Sequence, residues 1–244
     1  MHDDYDDLAS VYDRLNPKSE IYKQKSLYER IKKDYEVKSV LDCACGNGWH
    51  LEMLADMGLK TCGSDLSPAM IKQANDNLRD KGIDLRIGDY RNLPELWGQR
   101  AFDMVACLTT SLPYMLTERD VVDALNSMYS VLNEGGIVVI DNGISDSLLT
   151  EKPKLIPARI LDEDAFYFFM EYHENRVVFN ILYVKKTSDS FEHLFKTTTY
   201  NAMSRAVLEA AFAKTSFRHV KFYGDHDLNP YSVASKRMFV IAQK

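Results

Sequence analysis

Residues 40–48 read VLDCACGNG, an apolar run followed at once by small residues. The apolar run ends at Asp42 and predicts a buried strand, and the helical spacing that follows predicts a helix behind it. Ala44, Gly46 and Gly48 stand at alternate positions of the turn between them, where small residues let a ligand lie against bare backbone. Free N–H groups at the start of the helix favour negative ligand groups. We therefore predict that this stretch binds a cofactor.

Apolar and β-branched runs alternate with helical patterns across the first 145 residues. We predict strands at 38–43, 60–64, 83–87, 102–108 and 137–141, with helices over 49–57, 67–81 and 117–132. Strands that alternate with helices pair in parallel and carry helices on both faces of the sheet. The pattern therefore predicts an α/β protein with a Rossmann-like, doubly wound sheet.

The sequence pattern changes after residue 145. Aromatic and β-branched residues dominate 165–172, 176–186 and 191–200, which predicts antiparallel strands joined by turns. A helix at 204–214 and strands at 219–223 and 237–242 then restore the first pattern. We predict a Rossmann-like domain of residues 1–145 and 201–244, with a seven-stranded, mostly parallel sheet and an antiparallel β insertion at 146–200 after strand five.

The kind of cofactor follows from the spacing of the small residues and acids. A dinucleotide fingerprint G-x-G-x-x-G would need a glycine at Leu51, so the turn suits S-adenosylmethionine better. Asp65 ends the second strand, 23 positions after Asp42, a spacing typical of an acid that accepts hydrogen bonds from ribose hydroxyls. Asp89 and Tyr90 end the third strand, where a carboxylate can accept from an adenine amino group and a backbone N–H can meet the ring.

These ordered motifs resemble those of the class I S-adenosylmethionine-dependent methyltransferases: Asp42-x-Ala44-x-Gly46-x-Gly48, Asp65, Gly88-Asp89 and Phe102-Asp103. The resemblance covers about residues 37–142. It implies that Asp42 and the Gly46 carbonyl lie near the methionine ammonium, Asp65 on the ribose, Asp89 on the adenine and Leu108 beside the sulfonium. The predicted cofactor-binding residues are Tyr12, Asp42, Ala44, Gly46, Gly48, Asp65, Leu66, Asp89, Tyr90 and Leu108.

A narrower resemblance concerns glycine N-methyltransferase and its amine-methylating relatives. It is carried by CLTTS at 107–111, by VID at 139–141 and by the N-terminal pattern Tyr5-Asp6-x-x-Ala9-x-x-Tyr12-Asp13, which in that family folds over the cofactor. Two positions depart from the family. Thr110 stands where the family has asparagine, and Asn142 stands where an arginine follows the acid of strand five. The resemblance therefore does not extend to recognition of an amino-acid carboxylate, and we do not expect glycine itself as the acceptor.

The acceptor should lie at the carboxyl ends of strands four and five, where open α/β sheets bind ligands. The candidate contacts there are Thr109, Thr110, Ser111, Asp141 and Asn142. Neither His nor Glu stands at an expected catalytic position, and His226 on a predicted loop is more typical of a solvated residue than of a base. An amine need only arrive neutral, whereas a hydroxyl or carbon acid often needs a base. The sequence therefore favours methylation of a nitrogen on a small molecule.

Two other classes of protein stay open. Leu112-Pro113-Tyr114 shares its Pro-Tyr with the loop that holds the target base in nucleic-acid methyltransferases, but the formal net charge of −6 makes a nucleic-acid partner unlikely. A protein that binds S-adenosylmethionine without turnover would carry the same motifs.

The cysteines, the apolar runs and the N-terminal sequence bear on metal binding and on the location of the protein. Cys43 and Cys45 form C-x-C, but the sequence offers no Cys or His cluster to complete four ligands, so we predict no metal site. No apolar run approaches the roughly 20 residues that cross a bilayer, and the acidic start is unlike a secretory signal. We predict a cytoplasmic protein without a membrane partner, either a monomer or a homodimer.

Overall fold

The computed structural model describes residues 9–244, so Tyr5 and Asp6 of the N-terminal pattern lie outside the described residues. The helices are α1 (Ala9–Leu15), α2 (Lys18–Tyr22), α3 (Lys25–Asp34), α4 (Trp49–Asp56), α5 (Pro68–Asn77), α6 (Leu93–Trp97), α7 (Glu118–Val131), α8 (Asp146–Glu151) and α9 (Arg205–Phe212). The strands are β1 (Ser39–Asp42), β2 (Lys60–Asp65), β3 (Asp84–Ile87), β4 (Phe102–Cys107), β5 (Leu132–Asn142), β6 (Leu155–Ile160), β7 (Asp164–Tyr172), β8 (Arg176–Lys186), β9 (Phe191–Asn201), β10 (Arg218–Tyr223) and β11 (Met238–Gln243).

Seven of these strands form one sheet in the order β10-β11-β5-β4-β1-β2-β3. Within this sheet the neighbouring strands β5, β4, β1, β2 and β3 pair in parallel. Strand β11 runs antiparallel to both β5 and β10. This confirms the predicted Rossmann-like, seven-stranded, mostly parallel sheet. The chain runs outward from β1 to β3 and then returns to β4 on the other side of β1. The carboxyl ends of β1 and β4 therefore flank the crevice in which such sheets bind ligands.

Alternate residues of the central strands point to opposite faces of the sheet, and each face has its own apolar core. Leu41 and Val105 pack with the helices α7 and α9, whereas Val40 and Met104 pack with α3 and α4. All four side chains are fully buried. The two cores fix β1 and β4 on both faces, so the turns that leave their carboxyl ends start from rigid positions.

The strand β5 begins earlier than the sequence pattern predicts. Residues 133–136 fall between the predicted helix at 117–132 and the predicted strand at 137–141, but the strand already starts at Leu132. A shift in the β4–β5 register between Phe102 and Met104 accommodates the extra residues, and Gly135 there has a φ of 77°. A glycine tolerates that conformation without a Cβ clash, so residues 133–136 form an irregular start of the strand.

The segment after β5 forms a separate antiparallel sheet in the order β6-β7-β8-β9. Three of its strands match the sequence prediction, but α8 and β6 were not predicted. Pro153 and Pro157 interrupt the strand pattern there, and Pro157 is tolerated because β6 is an edge strand with a bulge. The sheet packs against α1, because Val11 and Leu15 of that helix pack on the buried cluster of Phe166, Ile181 and Tyr183.

Residues 9–244 contain neither a helix long and apolar enough to span a membrane nor a group of three His, Cys, Asp or Glu side chains placed to hold a metal ion. The four cysteines are free and buried.

Candidate active site

Two glycines in the left-handed region of backbone conformation shape the turn after β1. Gly46 has a φ of 51° and Gly48 a φ of 86°, values that residues with a Cβ rarely adopt. A Cβ at Gly48 would lie 2.7 Å from Leu78 Cδ1, and a Cβ at Gly46 would lie 3.5 Å from the ring of Tyr12. Gly48 therefore lets the start of α4 pack closely against the end of α5, while Gly46 keeps bare backbone beneath Tyr12.

Asp42, the last residue of β1, is a buried carboxyl group with 1% of its surface exposed. Burial raises its pKa to about 7, and the charge of nearby Asp65 acts in the same direction. The Ala44 N–H, which donates to Asp42 Oδ1 at 3.2 Å, opposes the shift. A cation placed beside such a group would stabilise its charged form. The position of Asp42 therefore suits a ligand that carries an ammonium group.

Asp65 holds the glycine turn in place from the end of β2. Its Oδ2 accepts from the Gly46 N–H at 2.8 Å, and its Oδ1 accepts from the Ser67 N–H at 3.0 Å. Ser67 itself caps α5 by accepting from the Met70 N–H at 3.1 Å, as its position before Pro68 predicts. A carboxylate offers about four lone-pair sites to donors. Asp65 can therefore position the turn and accept from ligand hydroxyls at the same time.

A cavity of about 390 Å³, named here the first cavity, opens beside this turn. It is lined by seven of the residues predicted for the cofactor: Tyr12, Ala44, Gly46, Asp65, Leu66, Asp89 and Tyr90. Asp42, Gly48 and Leu108 lie behind that lining, and Asp42 and Leu108 are each 1% exposed. Ser111 of the predicted acceptor contacts also lines the first cavity.

Arg91 also lines the first cavity, and the sequence analysis missed it. Its Nη2 donates to Asp89 Oδ2 at 2.6 Å, and its Nη1 donates to Asp120 Oδ1 at 3.0 Å. The hydrogen bond and charge of Asp89 raise the pKa of Arg91, with a smaller effect of Asp120. Asp89 is therefore held by a guanidinium group on one side. An arginine just after a strand end carries no sequence signal that separates this role from that of a solvated surface residue.

A larger cavity of about 610 Å³, named here the second cavity, lies across Tyr12 and Thr109 from the first. Of the described residues, Tyr12 and Thr109 are the two that line both cavities. Thr110, Gly143 and Ile144, at the carboxyl ends of β4 and β5, contribute to its lining. The inserted sheet supplies its far wall through Ile156, Pro157, Ala158, Phe168, Met170, Phe179, Ile181 and Tyr200. From the sequence these residues of the insertion are predicted only to pack within a sheet. The local sequence pattern does not show which face of a strand lines a cavity.

Thr109 and Thr110 adopt a conformation that β-branched residues avoid. Their φ angles are 52° and 68°, and such strain costs on the order of 1–3 kcal/mol per residue. Two hydrogen bonds hold the segment against β5: the Thr110 N–H donates to the Asp141 carbonyl at 2.8 Å, and the Gly143 N–H donates to Thr110 Oγ1 at 2.9 Å. The strained pair lies where the two cavities meet, so the structure fixes the backbone at that point.

The side chains of Asp141 and Asn142 are placed beneath the second cavity, and the described lining of that cavity excludes both. Both oxygens of Asp141 accept from Arg237 of the loop before β11, from Nε at 2.7 Å and from an Nη at 2.8 Å. Arg237 itself does line the second cavity. His226 Nε2 lies 3.5 Å from Asp141 Oδ2. Asp141 therefore forms a buried ion pair, where the sequence analysis had predicted an acceptor contact.

Asn142 joins the two ends of the insertion. Its Nδ2 donates to the carbonyl of Ile144, just before the insertion, at 3.0 Å and to that of Met203, just past its end, at 3.2 Å. Asn142 is fully buried. Its amide therefore anchors the inserted sheet to β5.

Helix α1 is fixed over the glycine turn by Asp13. The Asp13 carboxylate accepts from Asn47 Nδ2 at 2.6 Å, from Trp49 Nε1 at 2.9 Å and from Gln73 Nε2 at 2.7 Å. The next residue, Arg14, pairs with Asp164 at the start of β7. Helix α1 thus connects the turn, the start of α4 and the inserted sheet, and it carries Tyr12 to the junction of the two cavities.

The segment Leu112–Tyr114, which partly matches a base-holding loop, forms a single 3-10 turn. Leu112 and Pro113 are buried, and the hydroxyls of Tyr114 and Tyr200 lie 3.3 Å apart. The segment thus packs against the inserted sheet.

Residues 40–136 match the sequence model of a methyltransferase domain family. Over 150 residues the chain is 34% identical to glycine/sarcosine N-methyltransferase of Parasynechococcus marenigrum, a match that covers 59% of this chain and 52% of that protein. Over 106 residues it is 35% identical to dTDP-4-amino-2,3,4,6-tetradeoxy-D-glucose N,N-dimethyltransferase of Saccharopolyspora spinosa, covering 43% and 41% of the two chains. The chain thus spans about half the length, or less, of these two relatives.

The crystal structure of a S-adenosylmethionine-dependent methyltransferase from Clostridium acetobutylicum has the same fold, with a TM-score of 0.82 and 20% identity over 98% of both chains. The fold, the ordered motifs and the sequence matches lead to one conclusion. Residues 40–136 form a methyltransferase domain, and the whole chain has the fold of a S-adenosylmethionine-dependent methyltransferase.

Proposed function

We propose that this protein transfers a methyl group from S-adenosylmethionine to an amine nitrogen of a small molecule. The observation that carries the proposal is the junction of two cavities. The first is lined by the residues of the cofactor motifs, the second lies at the carboxyl ends of β4 and β5, and the two share Tyr12 and Thr109. Donor and acceptor held in these cavities would meet at that junction.

The residues of the first cavity fit S-adenosylmethionine. The buried Asp42, whose pKa is raised to about 7, would hold the methionine ammonium together with the Gly46 carbonyl. Asp65 and Leu66 would contact the ribose, and Asp89 and Tyr90 the adenine. Bound there, S-adenosylmethionine would supply a methyl group on a sulfonium: the nitrogen lone pair would form the new carbon–nitrogen bond as the carbon–sulfur bond breaks, leaving S-adenosylhomocysteine, and the methylated ammonium would release its proton to solvent. Leu108, which is buried, would pack beside the sulfonium.

An amine acceptor is supported by the residues around the junction and by the relatives. Tyr12 and Thr109 are not strong bases, and Glu151, the one carboxylate that we find among the described residues lining the second cavity, is paired with Lys236. A neutral amine needs no base to attack a methyl group, so the chain's main task is to orient the reactants and exclude water. Both relatives described above are named for methylation of nitrogen on small molecules.

The first test concerns cofactor binding. We expect S-adenosylmethionine and S-adenosylhomocysteine to bind with micromolar affinity and to raise the melting temperature, because a ligand that binds the folded state stabilises it. Isothermal titration calorimetry and thermal unfolding measure both effects, and product formation on a mixture of small amines tests turnover. Binding of NADH in place of either ligand would overturn the proposal.

The second test concerns Asp65. We expect Asp65→Ala to weaken cofactor binding by about 1.5–3 kcal/mol, the range for hydrogen bonds to a charged group. Since Asp65 also holds the Gly46 and Ser67 amides, Asp65→Asn serves as the control that keeps the size of the side chain. An unchanged dissociation constant in the folded Asp65→Ala variant would mean that Asp65 shapes the turn and does not touch the ribose.

A further inference from the structure

The second cavity has a shape and chemistry that restrict the acceptor. We propose, building on the methyl transfer proposed above, that the acceptor is an amine borne on an uncharged and largely apolar body, such as an arylalkylamine, and not an amino acid. Three properties of the described residues support this inference: the size of the cavity, its aromatic wall and the ion pairs of the two cationic side chains that line it.

Size comes first. The second cavity measures about 610 Å³, within the range of about 300–1,000 Å³ typical of pockets for drug-sized ligands. An amine as small as glycine would leave most of this space to water. Enclosed water beside the reacting centre weakens the electrostatic and orienting effects of an active site. The cavity therefore fits an acceptor with a body much larger than its amino group.

The far wall of the cavity is aromatic. Phe168 and Phe179 have ring centroids 4.6 Å apart, and Phe179 and Tyr200 have centroids 5.4 Å apart. Ile156 and Met170 extend the same surface. Such a wall stabilises apolar or ring-shaped groups by removing their surface from water, at about 25 cal/mol per Å². The face that the insertion turns toward β4 and β5 therefore recognises an apolar body.

The two cationic groups that line the cavity are already paired with carboxylates. Lys236 Nζ lies 2.5 Å from Glu151 Oε1 and 3.1 Å from Ser147 Oγ. Arg237 is held by both oxygens of Asp141. A carboxylate or phosphate on the acceptor would have to compete with these partners, and a buried charge without a partner is costly. The paired charges therefore select against an acidic acceptor.

The same surroundings prepare the amine for reaction. An apolar environment disfavours the charged form of a group, so it lowers the pKa of an ammonium that enters it. An amine at the junction of Tyr12 and Thr109 would thus lose its proton to solvent more readily and arrive with its lone pair free. An apolar cavity makes a separate catalytic base unnecessary.

A matched series of acceptors tests the inference. 2-Phenylethylamine, phenylalanine and glycine differ in the carboxylate and in the apolar body, and release of S-adenosylhomocysteine measures turnover of each by the full-length protein. We expect kcat/KM for 2-phenylethylamine to exceed that for phenylalanine and for glycine by about 100-fold, because the carboxylate finds no free cation. Equal or faster turnover of phenylalanine or glycine would overturn the inference and leave the proposed function standing.

Binding to the complex with S-adenosylhomocysteine separates the two proposals. If 2-phenylethylamine binds by calorimetry and glycine does not, but no amine of the series is methylated, the proposed function fails and the assignment of the cavity stands. If none of the three binds, the assignment of the cavity is wrong.

A variant at Glu151 tests whether the paired charges select against an acidic acceptor. Glu151→Gln removes the carboxylate that pairs with Lys236 at an exposed position. The Lys236 ammonium then lines the cavity without this partner. We expect kcat/KM for phenylalanine to rise about 5-fold relative to that for 2-phenylethylamine, the effect of roughly 1 kcal/mol from one exposed charge. Glu174→Gln, on the exposed turn between β7 and β8, is the control with the same change in charge. An unchanged ratio in Glu151→Gln, or an equal rise in both variants, would contradict the selection by paired charges.

Discussion

Replacing Arg237 by alanine is expected to destabilise the folded protein by about 3 kcal/mol at pH 7. Asp141 is 2% exposed and loses both of its guanidinium hydrogen bonds in this variant. Removing one partner of a buried ion pair costs about 3–5 kcal/mol because the other charge stays buried without a partner. Since the Arg237 side chain is 37% exposed, the low end of that range applies. Urea unfolding measures the change.

The pH dependence of the same variant identifies the cause. In the native protein burial disfavours the charged carboxylate, but the charge and hydrogen bonds of Arg237, together with the nearby His226, outweigh it and lower the pKa of Asp141. A depressed pKa contributes stability above about pH 4, the unfolded value, and that stability is lost as the pH falls through the folded pKa. Without Arg237, burial raises the pKa instead. The deficit of Arg237→Ala should therefore shrink between pH 7 and about pH 5.

A double variant provides the control for this ion pair. Asp141→Asn combined with Arg237→Ala removes the buried charge together with its partner, so it should be more stable than Arg237→Ala alone at pH 7. If both variants are equally destabilised and neither depends on pH, the cost comes from lost packing around Arg237 and not from the charge of Asp141.

The ion pair between Arg237 and Asp141 could not be predicted from the sequence. The glycine turn, Asp42 and Asp65 could be predicted because each depends on residues next to it: a strand end, a helix start and an acid at a fixed spacing. The partner of Asp141 stands 96 positions away in the sequence and reaches it because β11 runs antiparallel to β5. Nothing in the local pattern of either segment records that pairing. The sequence analysis therefore placed Asp141 in contact with an acceptor instead.

The strained Thr109 and the cavity wall were beyond prediction for a related reason. Residues with a Cβ rarely take the left-handed conformation, so a threonine gives no local signal of it, whereas Gly46 does. Likewise, the alternation of apolar residues in β7 and β8 shows that one face is buried but not what lies against it. The local sequence thus carries more information about the cofactor motifs than about the shape of the second cavity.

Truncation of the aromatic wall should reduce methyl transfer by about 10- to 100-fold in kcat/KM while leaving the cofactor dissociation constant unchanged. The variant is Phe168→Ala with Phe179→Ala, whose rings contact each other and line the second cavity. Each tenfold loss corresponds to about 1.4 kcal/mol of transition-state stabilisation, less than the burial of one aromatic side chain provides. Steady-state kinetics with the preferred amine and calorimetry with S-adenosylhomocysteine measure the two quantities.

The control for this variant lies on the opposite face of the same sheet. Phe195 of β9 is 57% exposed, and Phe195→Ala removes a similar ring without touching either cavity. If the insertion is a lid on the acceptor side, only the inner-face variant loses turnover. If instead the inner-face variant keeps full turnover and Phe195→Ala lowers the native mass by light scattering, the inserted sheet is an interface between copies of the chain. The inner face lines the second cavity, and Asn142 ties both ends of the insertion to β5. The sheet is therefore held against the acceptor side, and loss of turnover in the inner-face variant is the outcome we expect.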